Sequence, residues 1–444
     1  MSNVLAARAQ MAVSLGFHII FAEIGIGMPA MMFLAEWRAL RSGDAGYVEL
    51  AKRWARGVAI LFAVGAVSGT VLSFELGLLW PRFMSFAGAI IGIPFSLEGF
   101  AFFTEAIFLG VYLYAGDRIS PRARVAAAAM VAASGAASAI FVVMVNAWMN
   151  APAGVVTERG QIVQVHALAG MESPAALAQS LHMVLAAYAA TGLAVAGIHA
   201  FMFLRGASPA FHRRALRIAL AVGVPAAILQ PVSGDLSARV VARTQPVKLA
   251  ALEGQFDTER GAPLRVGGWP DASAGRTRFA LEIPRGLSIA AFHDPDAEVK
   301  GLNAFPRRDW PPLVPVHIGF QAMIALGSAM ALLGAWCAWV AWRRRDVVSN
   351  RPLLNALVLA APFGFIATEA GWVLTEVGRQ PWVVQGLLRT SDAVTPMPGL
   401  VVPFVAFTAL YAGLGTIVVA LIRAMVRDTT RDTTRDSARD TAHA

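Results

Sequence analysis

Apolar residues run along this chain in nine long blocks, at roughly 11–36, 55–79, 86–115, 124–149, 178–204, 215–235, 315–342, 353–377 and 399–425. Each reaches the roughly 20 residues that cross a bilayer as a helix. Lipid offers the backbone no hydrogen-bond partner, so each block predicts a helix that satisfies its own amides. The expected fold is an all-α, polytopic membrane bundle of nine transmembrane helices. The first block, Met11 to Ala35, is longer than the apolar region of a secretory signal and carries His18 and Glu23. It is read as a retained span.

The connecting loops alternate in charge. Loop 37–54 holds Arg38, Arg41, Lys52 and Arg53; loop 116–123 holds Arg118 and Arg122; loop 205–214 holds Arg205, Arg213 and Arg214; loop 343–352 holds Arg343, Arg344, Arg345 and Arg351. The intervening connections carry only Arg82, Arg159, Arg379 and Arg389. The positive-inside rule then places the N-terminus outside and the C-terminus in the cytoplasm. Residues 236–314 are polar and rich in Pro and Gly, too long for a simple connector, and predict a functional external loop. Residues 426–444 repeat charged and small polar residues and read as a disordered cytoplasmic tail. The chain thus divides into 1–235 with helices 1–6, the loop 236–314, 315–425 with helices 7–9, and the tail.

Composition agrees. Of 444 residues, 57% are hydrophobic and 15% charged, against about 25% charged in a soluble domain. The net charge of +9 would suggest nucleic acid in a soluble protein. Here the basic residues lie between spans, so membrane orientation accounts for them and no nucleic-acid partner is expected. The one cysteine, Cys337, allows no internal disulfide, no CxxCH haem attachment and no iron–sulfur ligand set. Any redox cofactor must be held by His, Met or carboxylate.

Ionisable residues inside spans are costly and mark functional candidates. This chain has His18, Glu23, Glu75, Glu98, Glu105, His182, His199, His317, Glu369 and Glu376. Counting inward at 1.5 Å per residue, His18, His182, Met323 and Glu376 come from four helices and share one layer near the outer face. Such a ligand set, without another metal motif, points to haem. Glu98 and Glu105 are seven residues apart, almost two turns, and share a helix face. They suit a proton relay from the cytoplasm; a structural pair of acids is the alternative. Glu369 and Glu376 repeat that spacing. Glu23, His199 and His317 stay open.

The segment Gly378-Arg379-Gln380-Pro381-Trp382, preceded by Glu369-Ala370-Gly371-Trp372 and Glu376, resembles the GRQPW region of subunit I of bd-type quinol oxidases. Arg8 and Gln10 before Phe17-His18 resemble the start of that family. Glu98-Gly99 through Phe102-Phe103-Thr104-Glu105 resembles its third helix, Asn146 through Pro152 the end of its fourth, and Ser180-Leu181-His182 the start of its fifth. Lys248 through Glu253 resembles its quinol loop. The likeness covers nearly the whole chain except the tail.

The resemblance implies a terminal oxidase that oxidises quinol and reduces dioxygen to water, building a proton gradient without pumping. It makes His182 and Met323 the axial pair of a low-spin b haem, Glu376 the ligand of a high-spin b haem, and His18 the ligand of haem d or a third b-type haem. Lys248 and Glu253 would act on quinol, Glu98 and Glu105 would carry protons, Arg379 would meet haem propionates, and Trp372 would line a haem. It implies a second polytopic subunit, with a small single-span one in some members. Where many members carry Arg two residues before the ligand Met, this chain has Gln321. Its external loop is the short type, and both traits resemble the cyanide-insensitive branch. Rival readings are a secondary transporter coupled through buried acids and a cytochrome b that hands electrons to a partner enzyme. A haem-copper oxidase is disfavoured, because the sequence lacks the paired His-His and His-rich helix expected around copper.

Overall fold

The computed structural model describes all residues except 116–117, 159–160, 167, 169, 207–208, 344–345 and 443–444; 157, 161–163, 165, 209 and 425–442 are described as backbone only. Arg159, Arg344 and Arg345, part of the charge pattern above, lie outside the described residues.

Among the described residues, nine helical segments are long and apolar enough to cross a membrane. The first four are α1 (Asn3–Ser42), α2 (Ala45–Leu79), α3 (Pro81–Ala115) and α4 (Pro121–Asn150). A hairpin of β1 (Val155–Glu158) and β2 (Gln161–Val165) leads to α5 (Ala176–Leu204) and α6 (Pro209–Thr244). Starts are capped where the sequence supplies a side-chain acceptor. Ser2 accepts from Leu5 N–H at the head of α1, Asp44 from Gly46 N–H at α2, and Ser120 from Ala123 N–H at α4. These satisfy amides that have no partner in the first turn.

Helix α6 runs nine residues beyond the expected end of its span at 235, so the long connecting segment begins at Gln245. An Asp235–Arg239 pair one turn apart, at 2.8 Å, supports the extra polar turns. The connecting segment starts with α7 (Pro246–Glu253). It continues through β3 (Glu259–Arg260), β4 (Leu264–Val266), β5 (Trp269–Asp271), β6 (Arg276–Arg278), β7 (Leu281–Ile283), α8 (Gly286–Phe292) and β8 (Glu298–Val299). The pairs β3–β8, β4–β7 and β5–β6 are antiparallel and nested, so this part of the loop is one long folded-back ribbon.

Then follow α9 (Leu313–Trp342), α10 (Arg351–Ala360) and α11 (Phe363–Val377). The span expected as one helix over 353–377 is two, broken at Ala361-Pro362, where proline has no N–H to continue the ladder. The break lets Gly364 press on α5, where an added Cβ would lie 2.3 Å from Ala190 Cα. After the cis Gln380–Pro381 bond come β9 (Trp382–Val384), β10 (Leu388–Arg389), α12 (Thr390–Ala393) and α13 (Val401–Ala442). The apolar span of α13 ends at Ala424. Its backbone stays helical to Ala442, where composition alone suggested disorder. The sequence spaces Asp428, Asp432 and Asp436 three residues ahead of Arg431, Arg435 and Arg439, a spacing that favours helix.

Helices pack as neighbours α1–α2, α3–α4 and α5–α6. The α5–α6 crossing depends on glycine: a Cβ on Gly192 would fall 2.6 Å from Gly223 Cα. Small residues let membrane helices approach this closely. Two apolar cores form at opposite ends of the bundle. One joins Met31, Met32, Leu50, Leu193, Leu216 and Leu357. The other joins Leu79, Phe83, Ile90, Ile91, Trp148 and Val384. Between them, along the chain, fall His18 of α1, Ser68 of α2, Glu98 and Glu105 of α3, and Ser134 and Ser138 of α4. These six side chains therefore occupy a layer between the two cores.

Candidate functional site

Helix α11 is the hub. A Cβ on Gly371 would come 3.0 Å from the Met323 sulfur, so glycine makes room for that methionine. A Cβ on Gly16 of α1 would come 3.3 Å from Glu369 Oε2, which brings α11 against the His18 helix. Glu376 reaches α4, and Gly378 just past the helix end packs on Lys248 Cε.

His182 lies against α6. Its Nδ1 is 2.9 Å from Ser233 Oγ, and Gln230 Nε2 is 3.2 Å from Nε2 and 3.3 Å from Nδ1. Near-equal distances to both ring nitrogens put the amide over the ring face. His18 lies against α2, with Nδ1 2.9 Å from Ser68 Oγ and its ring over Gly69.

A buried hydrogen-bonded file runs from α7 to the end of α11. Lys248 Nζ donates to Asn150 Oδ1 at 3.0 Å and to the Thr375 carbonyl at 3.1 Å. Asn150 Nδ2 donates to Asn146 Oδ1 at 2.9 Å, and Asn146 Nδ2 donates to Glu376 Oε1 at 2.5 Å. Arg379 Nη2 donates to Glu376 Oε2, also at 2.5 Å. Arg379 is only 2% exposed, yet its Nε and Nη1 have no protein partner, nor does Trp372 Nε1. A buried guanidinium with free N–H groups is costly unless it meets an anion. That demand fits the carboxylates of a haem. The candidate donors fit too, because His and Met side chains are of the types that hold haem iron.

Glu98 and Glu105 both face α4. Ser138 Oγ donates to Glu98 Oε1 at 3.2 Å, and Glu105 packs on Gly135, where a Cβ would meet Oε2 at 3.1 Å. The shared face expected from their spacing is present.

Lys248 and Glu253 sit on α7, both buried. Burial pushes the Lys248 ammonium down to about 7, with Arg379 adding to the effect and Glu376 opposing it. Burial pushes the Glu253 carboxyl up to about 8, against a pull from Arg265; its Oε2 has no partner. Two side chains of α9 clamp the loop over them. His317 faces the Leu252 carbonyl at 2.7 Å and the Gly267 carbonyl at 3.0 Å. Gln321 accepts from Gly267 N–H at 2.9 Å and donates to the Arg265 carbonyl at 3.0 Å. Both ends of the Gln321 amide are thus engaged.

Sequence reasoning assigned no roles to Ser68, Ser233, Gln230, Asn146 and Asn150. The signal for the two asparagines was present, as polar amides four apart on one face of an apolar helix. The serines had none, because small hydroxyls are common in membrane helices. Other buried acids are paired elsewhere. Gln10 donates to Glu75 at 2.9 Å, while Glu36 accepts from Tyr112 and from Arg124. His199 and His212 meet Nδ1 to Nδ1 at 2.8 Å. Glu23 is buried beside Thr368 and Glu369.

Comparison with known proteins adds three findings. Residues 6–430 match the family model described as cytochrome bd terminal oxidase subunit I. A Bacillus subtilis (strain 168) protein, provisionally named cytochrome bd menaquinol oxidase subunit I, is 39% identical over 94% of this chain and 95% of its own length. The bd oxidase structure from Geobacillus thermodenitrificans superposes with a TM-score of 0.90 at 37% identity, over 96% of this chain and 98% of that one. The chain belongs to the cytochrome bd terminal oxidase subunit I family.

Proposed function

We propose that this chain is the haem-holding subunit of a terminal quinol oxidase, oxidising quinol near the outer membrane face and reducing dioxygen to water with cytoplasmic protons. The observation that carries the reading is the file from Lys248 to Glu376, closed by a buried Arg379 with two unpartnered nitrogens, Nε and Nη1. His182 and Met323 would hold a low-spin b haem, Glu376 a high-spin b haem, and His18 a haem d or third b-type haem. Arg379 and Trp372 would contact these groups. When bound, such haems supply electron transfer and oxygen chemistry.

The chain's own residues handle position and protons. Glu253, with its carboxyl near 8, keeps its proton in most molecules at neutral pH, and its ionised fraction, which grows as pH rises towards 8, can take a quinol hydroxyl proton. Lys248 ties the quinol loop to the helix end that carries Glu376. Glu98 and Glu105 lie along α4 as stations for protons drawn from the arginine-rich side. Quinol protons leave outside and water-forming protons enter from inside. Each electron thus moves about one charge across the membrane, roughly 2.3 kcal/mol per 100 mV, with no pump. The protein would act in the inner membrane with a second polytopic subunit, joined in some members by a small single-span one.

The test is a dithionite-reduced minus oxidised spectrum of membranes expressing both polytopic subunits. Bands of b haems with a far-red chlorin band support the full assignment. Bands of b haems alone keep the oxidase with a third b-type haem. No haem signal from folded protein sinks the ligand assignments.

A further inference from the structure

The two histidines assigned to haem share a device. Each Nδ1 lies 2.9 Å from a serine hydroxyl of a neighbouring helix, Ser68 for His18 and Ser233 for His182. Each serine is almost wholly buried, at 0% and 1% exposure. Each hydroxyl also reaches a carbonyl of its own helix. Ser68 Oγ lies 2.9 Å from the Val64 carbonyl and 3.1 Å from that of Gly65. Ser233 Oγ lies 2.9 Å from the Gln230 carbonyl.

A hydroxyl has one proton and two lone pairs. A carbonyl only accepts. If the serine proton pointed at the histidine, serine and carbonyl oxygens would face each other at 2.9 Å with no hydrogen between them, a buried and repulsive contact. The serine proton therefore goes to the carbonyl, and the serine oxygen accepts from histidine Nδ1–H. This leaves the lone pair of each ring on Nε2.

We infer that Ser68 and Ser233 are positioning residues that hold His18 and His182 in the Nδ1–H form, aiming the Nε2 lone pair at the metal and raising its basicity. The inference rests on the haem reading above. A partner on the remote nitrogen fixes both tautomer and ring rotation, and such partners are worth roughly 10–100-fold in metal retention. In His182 the Gln230 amide over the ring face adds a second restraint, closing the rotation the hydroxyl leaves open.

The experiment uses the two-subunit enzyme in membranes, with Ser233→Ala, Ser68→Ala and, as control, His182→Ala. Ser233→Ala is expected to raise the midpoint potential of the low-spin haem, because a ring without an acceptor donates less to iron. It is also expected to lose that haem roughly 10–100-fold more readily on detergent washing. Ser68→Ala, at an independent site, should lower the iron–histidine stretching frequency of the ferrous high-spin centre. Wild-type potential, retention and frequency in both serine variants, with the low-spin haem lost in His182→Ala, overturn the positioning role alone. Retention of an unaltered low-spin haem in His182→Ala overturns the ligand assignment beneath it.

Discussion

The pH dependence of the loop around α7 separates two buried charges. Glu253 titrates near 8 in the folded protein and near 4.5 when exposed. Between those values the folded state holds a proton the opened state has released, so stability of this region falls as pH rises. Lys248 behaves oppositely. It titrates near 7 when folded and near 10.5 when exposed, so in that window the opened state holds the extra proton and stability rises with pH. From pH 5 to 7 only Glu253 contributes, and from 8 to 10 only Lys248. One pKa unit is worth about 1.4 kcal/mol, so the full Glu253 window spans at most about 5 kcal/mol. The assay is amide hydrogen exchange over residues 246–255, corrected for intrinsic rates. Protection should drop by up to about tenfold per pH unit between 5 and 7, and recover between 8 and 10. Glu253→Gln should flatten the first limb only, and Lys248→Met the second only. A parent profile flat in both windows, or variants with parallel profiles, would refute the argument from burial.

Three further outcomes are expected. Gly192→Val places a side chain against Gly223 backbone at 2.6 Å, where nothing can yield, and should cost about 1–3 kcal/mol; an unchanged thermal midpoint of the purified complex would contradict the close crossing. Met323→Leu removes the thioether and should convert the low-spin spectrum to high-spin, so a persistent low-spin signal excludes Met323 as a ligand. Glu105→Gln should slow oxygen reduction by about 100-fold or more while quinol still reduces the low-spin haem quickly; normal steady-state turnover would remove Glu105 from the proton route.

The long apolar blocks revealed the spans because lipid forces their backbones into helix. It could not show where a helix keeps going on polar residues, as α6 does through Arg239, or where a proline divides an apolar run, as at Pro362. Residue spacing correctly placed Glu98 and Glu105 on one face, since helix geometry is local. The link from Lys248 to Glu376 was illegible, because it joins residues from three distant segments through two asparagine amides. The Ser68 and Ser233 contacts were hidden for the same reason. Their meaning lies in which neighbour's ring they touch, and that is set by helix packing. The recognised GRQPW segment pointed to Arg379, but only the fold displays its buried, unsatisfied N–H groups.

The double grip of Gln321 on Arg265 and Gly267 has a consequence for grafting. The ribbon is fastened to the bundle by a side chain that lies outside it, on α9. A loop transplanted from a member with arginine at that position would meet an amide in place of a guanidinium, and the reverse graft would lose an acceptor for Gly267 N–H. Chimaeras between long-loop and short-loop enzymes should therefore carry residue 321 along with the loop, treating the two as one cassette.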